Sequence, residues 1–120
     1  MIEITRDNID IEQYDDLYVD PCDEGYVICA WLSTYFDVDE KFGTHTMDND
    51  DTWVNLLAMY YPTTQKLEVV YIVDGISENR EEDYIPTENE KKEILEVIRR
   101  AVKEQENISL EDFIKKYCSD

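Results

Sequence analysis

A chain of 120 residues has enough apolar side chain for one small core and too little for two. With 42% hydrophobic and 12% aromatic residues it is no disordered polyelectrolyte, although 30 acidic residues against 11 basic ones set the net charge at -19. No apolar run approaches the ~18 residues of a membrane helix, Met1-Ile2-Glu3-Ile4-Thr5-Arg6 is not a secretory leader, and Cys22, Cys29 and Cys118 fit reduced thiols better than a disulfide framework; the expectation is a single cytoplasmic domain over residues 1–120.

In chain order, residues 1–20 are ambiguous: Ile2 and Ile4 alternate as in a strand, and Ile9 to Leu17 fit either a helix or an irregular cover. Tyr26 to Phe36 reads as a strand, as do Trp53 to Tyr61 and Leu67 to Asp74, each rich in β-branched and aromatic residues and bounded by turn formers. Pro62-Thr63-Thr64-Gln65-Lys66 is a hairpin-length link between the last two. In the third strand Leu67, Val69, Tyr71 and Val73 share one face, and Glu68, Val70, Ile72 and Asp74 the other. Both faces are apolar at the centre, which predicts helices over one face and the amino-terminal segment partly over the other. Thr87-Glu88-Asn89-Glu90 is a capping box, and Ile94, Leu95, Ile98, Ala101, Val102 and Gln105 continue as one helical stripe to about Glu106. Ser109 caps a short final helix containing Phe113, Ile114 and Tyr117. The fold expected is α+β, an antiparallel sheet of three to four strands packed against a C-terminal helix plus a short final helix.

The acid is unevenly placed. Residues 1–90 hold 23 acidic and 4 basic side chains, whereas residues 91–120 hold 7 of each. The densest stretch is the connection 37–52, with Asp37, Asp39, Glu40, Asp48, Asp50 and Asp51. Asp48, Asp50 and Thr52 stand at calcium-ligand spacing, yet Trp53 and Met59 occupy the glycine and glutamate positions of an EF-hand loop. Asp48-x-Asp50-x-Thr52 also spells the nucleophile motif of aspartate-based phosphatases, but it precedes its strand instead of ending one. His45, the single histidine, has no nucleophile motif around it, and three scattered glycines cannot make a phosphate loop. Neighbouring carboxylates such as Glu81 and Glu82 carry little information in so acidic a chain. No enzyme, metal or cofactor is expected.

Trp31, Trp53 and Tyr71 are expected in core and sheet packing, with Tyr14, Tyr18 and Tyr84, flanked by acid, at the surface. Carboxylates at alternate strand positions lie ~6.6 Å apart, about two axial phosphate rises of a DNA strand. A folded acidic surface of this kind repels nucleic acid and attracts a protein with a basic nucleic-acid groove. The partner-binding candidates are Asp37, Asp39, Glu40, Asp48, Asp50, Asp51, Glu81, Glu82 and Asp83, extended by Asp15, Asp16, Asp20, Asp23 and Glu24.

Phe36-Asp37-Val38-Asp39, Phe42-Gly43-Thr44, Asp50-Asp51-Thr52-Trp53-Val54-Asn55, Tyr61 and Leu67-Glu68-Val69 together resemble an uncharacterised family of small acidic proteins from gut Firmicutes and their mobile elements. In size and acidity the chain is also similar, as a class, to anti-CRISPR and antirestriction inhibitors. That likeness implies a DNA-mimicking inhibitor whose partner is a basic nucleic-acid-binding protein such as a Cas effector or a restriction enzyme, with no direct nucleic-acid or membrane binding. The alternative is an accessory interaction module of a mobile element that binds through an apolar surface or edge strand, its charge serving solubility only.

Overall fold

The computed structural model describes residues 2–44, 46, 52–75 and 79–118. Among these the chain forms six strands, β1 (Ile9–Asp10), β2 (Leu17–Cys22), β3 (Gly25–Thr34), β4 (Thr52–Tyr61), β5 (Lys66–Gly75) and β6 (Asn79–Tyr84). The helices are α1 (Val38–Phe42), α2 (Glu88–Glu106) and α3 (Leu110–Tyr117). β2 to β6 run as an antiparallel meander, and β1 extends the β2 edge by pairing with the far end of β3. Short links produce this order: Asp23-Glu24 joins β2 to β3, and Pro62–Gln65 joins β4 to β5, with Gln65 in the left-handed region at φ 59°.

Alternation along the strands creates two unlike faces. Leu17, Ile28, Ala30, Leu32, Leu56, Ala58, Leu67 and Val69 are buried against Ile94, Val97, Ile98, Ala101 and Val102 of α2 and Leu110 and Phe113 of α3. Ala30 and Ala58 pair directly, both fully buried, and Ala58 in turn pairs with Val69. This row of small side chains mid-sheet leaves room for α2 to come close. Phe42 of α1 stacks on Tyr71 at 4.5 Å between ring centroids, so α1 covers the same face. Thr87 supplies the predicted capping box for α2, and Asn107, at φ 58°, ends that helix in the left-handed conformation that Asn tolerates.

The sheet is wider than the three to four strands expected. β1 is only two residues long, while β2 and β6 read Leu-Tyr-Val-Asp-Pro-Cys and Asn-Arg-Glu-Glu-Asp-Tyr. Edge strands carry charge and proline because solvent meets one side of them, which removes the apolar signal of a strand. The amino-terminal segment also lies elsewhere than expected. Ile4, Ile9 and Ile11 join the core on the helix side, and the Ile4 N–H donates to Glu90 at 2.9 Å. Among the described residues, no helix lies across the opposite face.

Candidate functional site

The face opposite the helices can be read row by row from the strand register. Trp31, Leu57, Val70 and Asp83 stand side by side on β3, β4, β5 and β6. The neighbouring rows are Tyr18, Cys29, Met59 and Glu68, and then Asn55, Ile72 and Glu81. Trp53 and Tyr61 complete the face at either end of β4. Val27, Cys29 and Val70 form its buried floor, Trp31, Leu57, Met59, Tyr61 and Ile72 are half-buried, and Trp53 is 51% exposed. Burial pushes the Cys29 thiol up, making it a poor nucleophile. The Trp31 indole N–H donates to the Tyr18 hydroxyl at 3.2 Å, which fixes the ring across the β2–β3 junction. Beside it lies a depression of about 340 Å³ lined by Asp16, Trp31, Ser33 and Asn55.

Both tryptophans therefore belong to the open face and not to the core, contrary to the sequence expectation, whereas Tyr71 does pack against the core. Tyr14 and Tyr18 are exposed as expected. Tyr84 is drawn inward, because its hydroxyl donates to Glu90 at 2.6 Å.

The acidic candidates divide among different tasks. Asp37 caps α1, its carboxylate accepting from the backbone N–H groups of Asp39 and Glu40 at 3.0 and 3.1 Å. Asp39 holds the turn after α1, accepting from the Thr44 and Thr46 hydroxyls at 2.5 and 2.7 Å and from the Thr46 N–H at 2.8 Å. Glu40 is exposed on the same short helix. On β6, Glu81, Glu82 and Asp83 are all exposed, but alternation sends Glu81 and Asp83 to the open face and Glu82 to the helix side, where Arg80 lies 3.7 Å away. Asp48, Asp50 and Asp51, with His45 and the proposed calcium and phosphatase motifs, fall outside the described residues. At the opposite edge Asp20 is exposed on β2, and Asp16 lies in the 3-10 turn just before it. The open face thus has an aromatic and aliphatic centre, with carboxylates at both of its edges and at the two ends of β5, Glu68 and Asp74.

A second cluster was not visible in the sequence. Glu90 is 1% exposed, and its carboxylate accepts from the Tyr84 hydroxyl, from the Ile4 and Thr87 N–H groups at 2.9 Å each, and from the Lys41 ammonium at 3.0 Å. Burial alone would favour the neutral acid, but these four donors outweigh it and lower the pKa to about 2. Lys41 also donates to the Ile2 carbonyl and lies 4.8 Å from the centre of the Tyr84 ring. The adjoining cleft of about 410 Å³, lined by Ile2, Glu3, Lys41, Tyr84, Asn89 and Glu90, joins the amino-terminal segment, α1, the end of β6 and the start of α2. A carboxylate held ionised by four donors has no proton to give near neutrality and little basicity, so its geometry fits structural work.

Among the described residues no three His, Cys, Asp or Glu side chains converge as a metal site, and no helix is long and apolar enough to cross a membrane. Comparison with family models, curated proteins and solved structures finds no match for this chain.

Proposed function

We propose that the protein is a non-enzymatic acidic binding protein, an inhibitor of the phage or mobile-element type, that occupies the cationic groove of a nucleic-acid-binding nuclease such as a Cas effector or a restriction enzyme. The observation that supports this reading is the placement of exposed carboxylates on rigid strands: Glu81 and Asp83 on β6 and Asp20 on β2 point from a hydrogen-bonded sheet, on the same face. Strand pairing fixes the backbone that carries these carboxylates, so little backbone freedom is lost on binding. Glu81 and Asp83 repeat at ~6.6 Å, close to two phosphate rises. Asp37 and Asp39 accept hydrogen bonds within their own loop, so the reading rests on the strand carboxylates.

The test is inhibition of DNA cleavage by purified Cas and restriction nucleases, with binding measured at about 50 and about 500 mM salt, where screening lengths differ severalfold. The expected result is inhibition relieved by excess duplex DNA, binding that weakens steeply at high salt, and loss of both in Glu81→Lys/Asp83→Lys. Full cleavage by every nuclease together with salt-insensitive binding would exclude this function. The second reading, an interaction module working through an apolar surface, is favoured by one specific feature, the aromatic centre of the open face.

A further inference from the structure

We propose that the open sheet face is a docking site for a basic amphipathic α-helix of the partner protein. The proposal takes from the preceding section only the sign of the partner's charge. Three features of the face support it: its composition, its width and the arrangement of its charge.

The apolar side chains, Trp31 on β3, Leu57 and Met59 on β4 and Val70 and Ile72 on β5, span two strand spacings or ~10 Å, with Asn55, Lys66, Glu68 and Asp74 on the same face around them, and the acidic edges at β2 and β6 stand four spacings or ~19 Å apart. An α-helix with side chains is ~10–12 Å across, so one helix fills the apolar strip and leaves its flanks above the edges. Lysine and arginine there can lay their stems over apolar surface and carry their charges outward to Asp16, Asp20, Glu81 and Asp83. Along β4 the face runs from Trp53 to Tyr61 as five side-chain rows, ~26 Å at two residues per row, the length of a helix of ~18 residues. Trp31 and Trp53 add ring faces that attract ammonium and guanidinium groups, as the Tyr61 ring already does for Lys66 at 5.9 Å.

Charge selects among the possible occupants. A second copy of this chain would bring another net charge of -19, with its own acidic edges, against the same surface. Nucleic acid is repelled for the same reason. A basic helix with one apolar stripe satisfies both the centre and the rim, the arrangement of an apolar core with a polar border found at stable interfaces.

The tryptophans provide a direct readout, because both of those in the chain, Trp31 and Trp53, lie on this face. The probe is an 18-residue tryptophan-free peptide of Leu, Lys and Ala, with leucines on one helical stripe and lysines on both flanks. A permuted peptide of identical composition without the stripe is the control. Titration in near-physiological salt should show the striped peptide binding at least about tenfold tighter than the permuted one, with tryptophan emission moving to shorter wavelength, since a tenfold ratio needs only ~1.4 kcal/mol of stripe-specific contact. Leu57→Gln should remove most of that difference. Trp53→Ser, at an exposed position, should reduce it with unchanged circular dichroism and serves if Leu57→Gln fails to fold.

Equal affinity for the two peptides would overturn the docking site while leaving charge-driven binding standing. Binding of neither peptide would overturn it as well. A two-chain mass in sedimentation that Leu57→Gln or Trp53→Ser returns to one chain would make a second copy the occupant, with the same consequence. Stripe-selective binding would support the site whatever the nuclease assay shows, so the two readings fail separately.

Discussion

Glu90 is the residue on which most of the tertiary arrangement converges, since its carboxylate touches four separate parts of the chain. Its pKa of about 2 lies below the ordinary 4.5, so the stability it contributes is complete above pH 4.5 and is lost as pH falls through about 2. Glu93, Glu106 and Glu111 are also lowered, by Arg6, by Tyr117 with Lys116, and by Arg99 respectively, but their solvent-exposed pairs add little. Replacing Glu90 by Gln leaves Lys41, whose side chain is 5% exposed, without its counter-ion. Breaking one side of a buried pair costs about 3–5 kcal/mol. Urea unfolding of Glu90→Gln at neutral pH should therefore show a loss of that order, and its midpoint should vary less between pH 4.5 and 2 than that of the parent. A neutral-pH change under about 0.5 kcal/mol would mean the carboxylate is solvated in solution. The capping box made Glu90 legible as a helix-start residue; that the same carboxylate also binds Lys41 and Ile4, distant in sequence, was not legible.

At the scale of elements, α2, α3 and the three central strands followed from pattern, whereas α1 lies in a stretch read only as a connection. α2 begins at the predicted cap and ends at Glu106, and β3, β4 and β5 lie within two residues of their expected limits. Thr87→Ala removes the hydroxyl that accepts from the Glu90 N–H at 3.1 Å, and loss of such a cap should lower stability by about 1 kcal/mol. A shift of the urea midpoint with an unchanged slope would register it. β6 illustrates what pattern conceals. A strand of sequence Asn-Arg-Glu-Glu-Asp-Tyr has no apolar alternation, and it is a strand because β5 offers a ladder for it to pair with. Its acid also keeps the outer edge from pairing with another chain. Glu81→Thr/Asp83→Thr, which keeps β propensity and removes charge, should raise self-association in light scattering while leaving the fold intact. A monomeric double variant at high concentration would show that the edge needs no such protection.

For the whole molecule, the charge balance predicts a stability that depends on salt. The net -19 is concentrated in residues 1–90, which form the sheet, while the helical third is balanced. Self-repulsion among surface carboxylates opposes compaction and is screened over ~10 Å at 0.1 M salt. The melting temperature should therefore rise with sodium chloride before levelling off, the opposite of what a molecule held together by surface ion pairs would show. A fall in melting temperature over the same range would indicate that pairs such as Arg6–Glu93 at 2.7 Å and Arg99–Glu111 at 2.6 Å dominate.

The sequence by itself determined the α+β class, the central hairpin, the limits of α2, the start of α3 and the uneven distribution of acid, because each is encoded in spacing between near neighbours. Only the tertiary structure decided which residues of the separate strands line up on the face the helices cover and which on the face opposite. In β5 Leu67, Val69, Tyr71 and Val73 lie on one side and Glu68, Val70, Ile72 and Asp74 on the other, and it is the first side that is buried, with Ile28, Ala30, Leu32, Leu56 and Ala58, against α2 and α3. That decision leaves Trp31, Trp53, Leu57 and Ile72 on the uncovered side and sets Asp20, Glu81 and Asp83 around them. Alternation within β5 marks its own buried side, but which residues of separate strands share a face depends on inter-strand register, which no local pattern specifies.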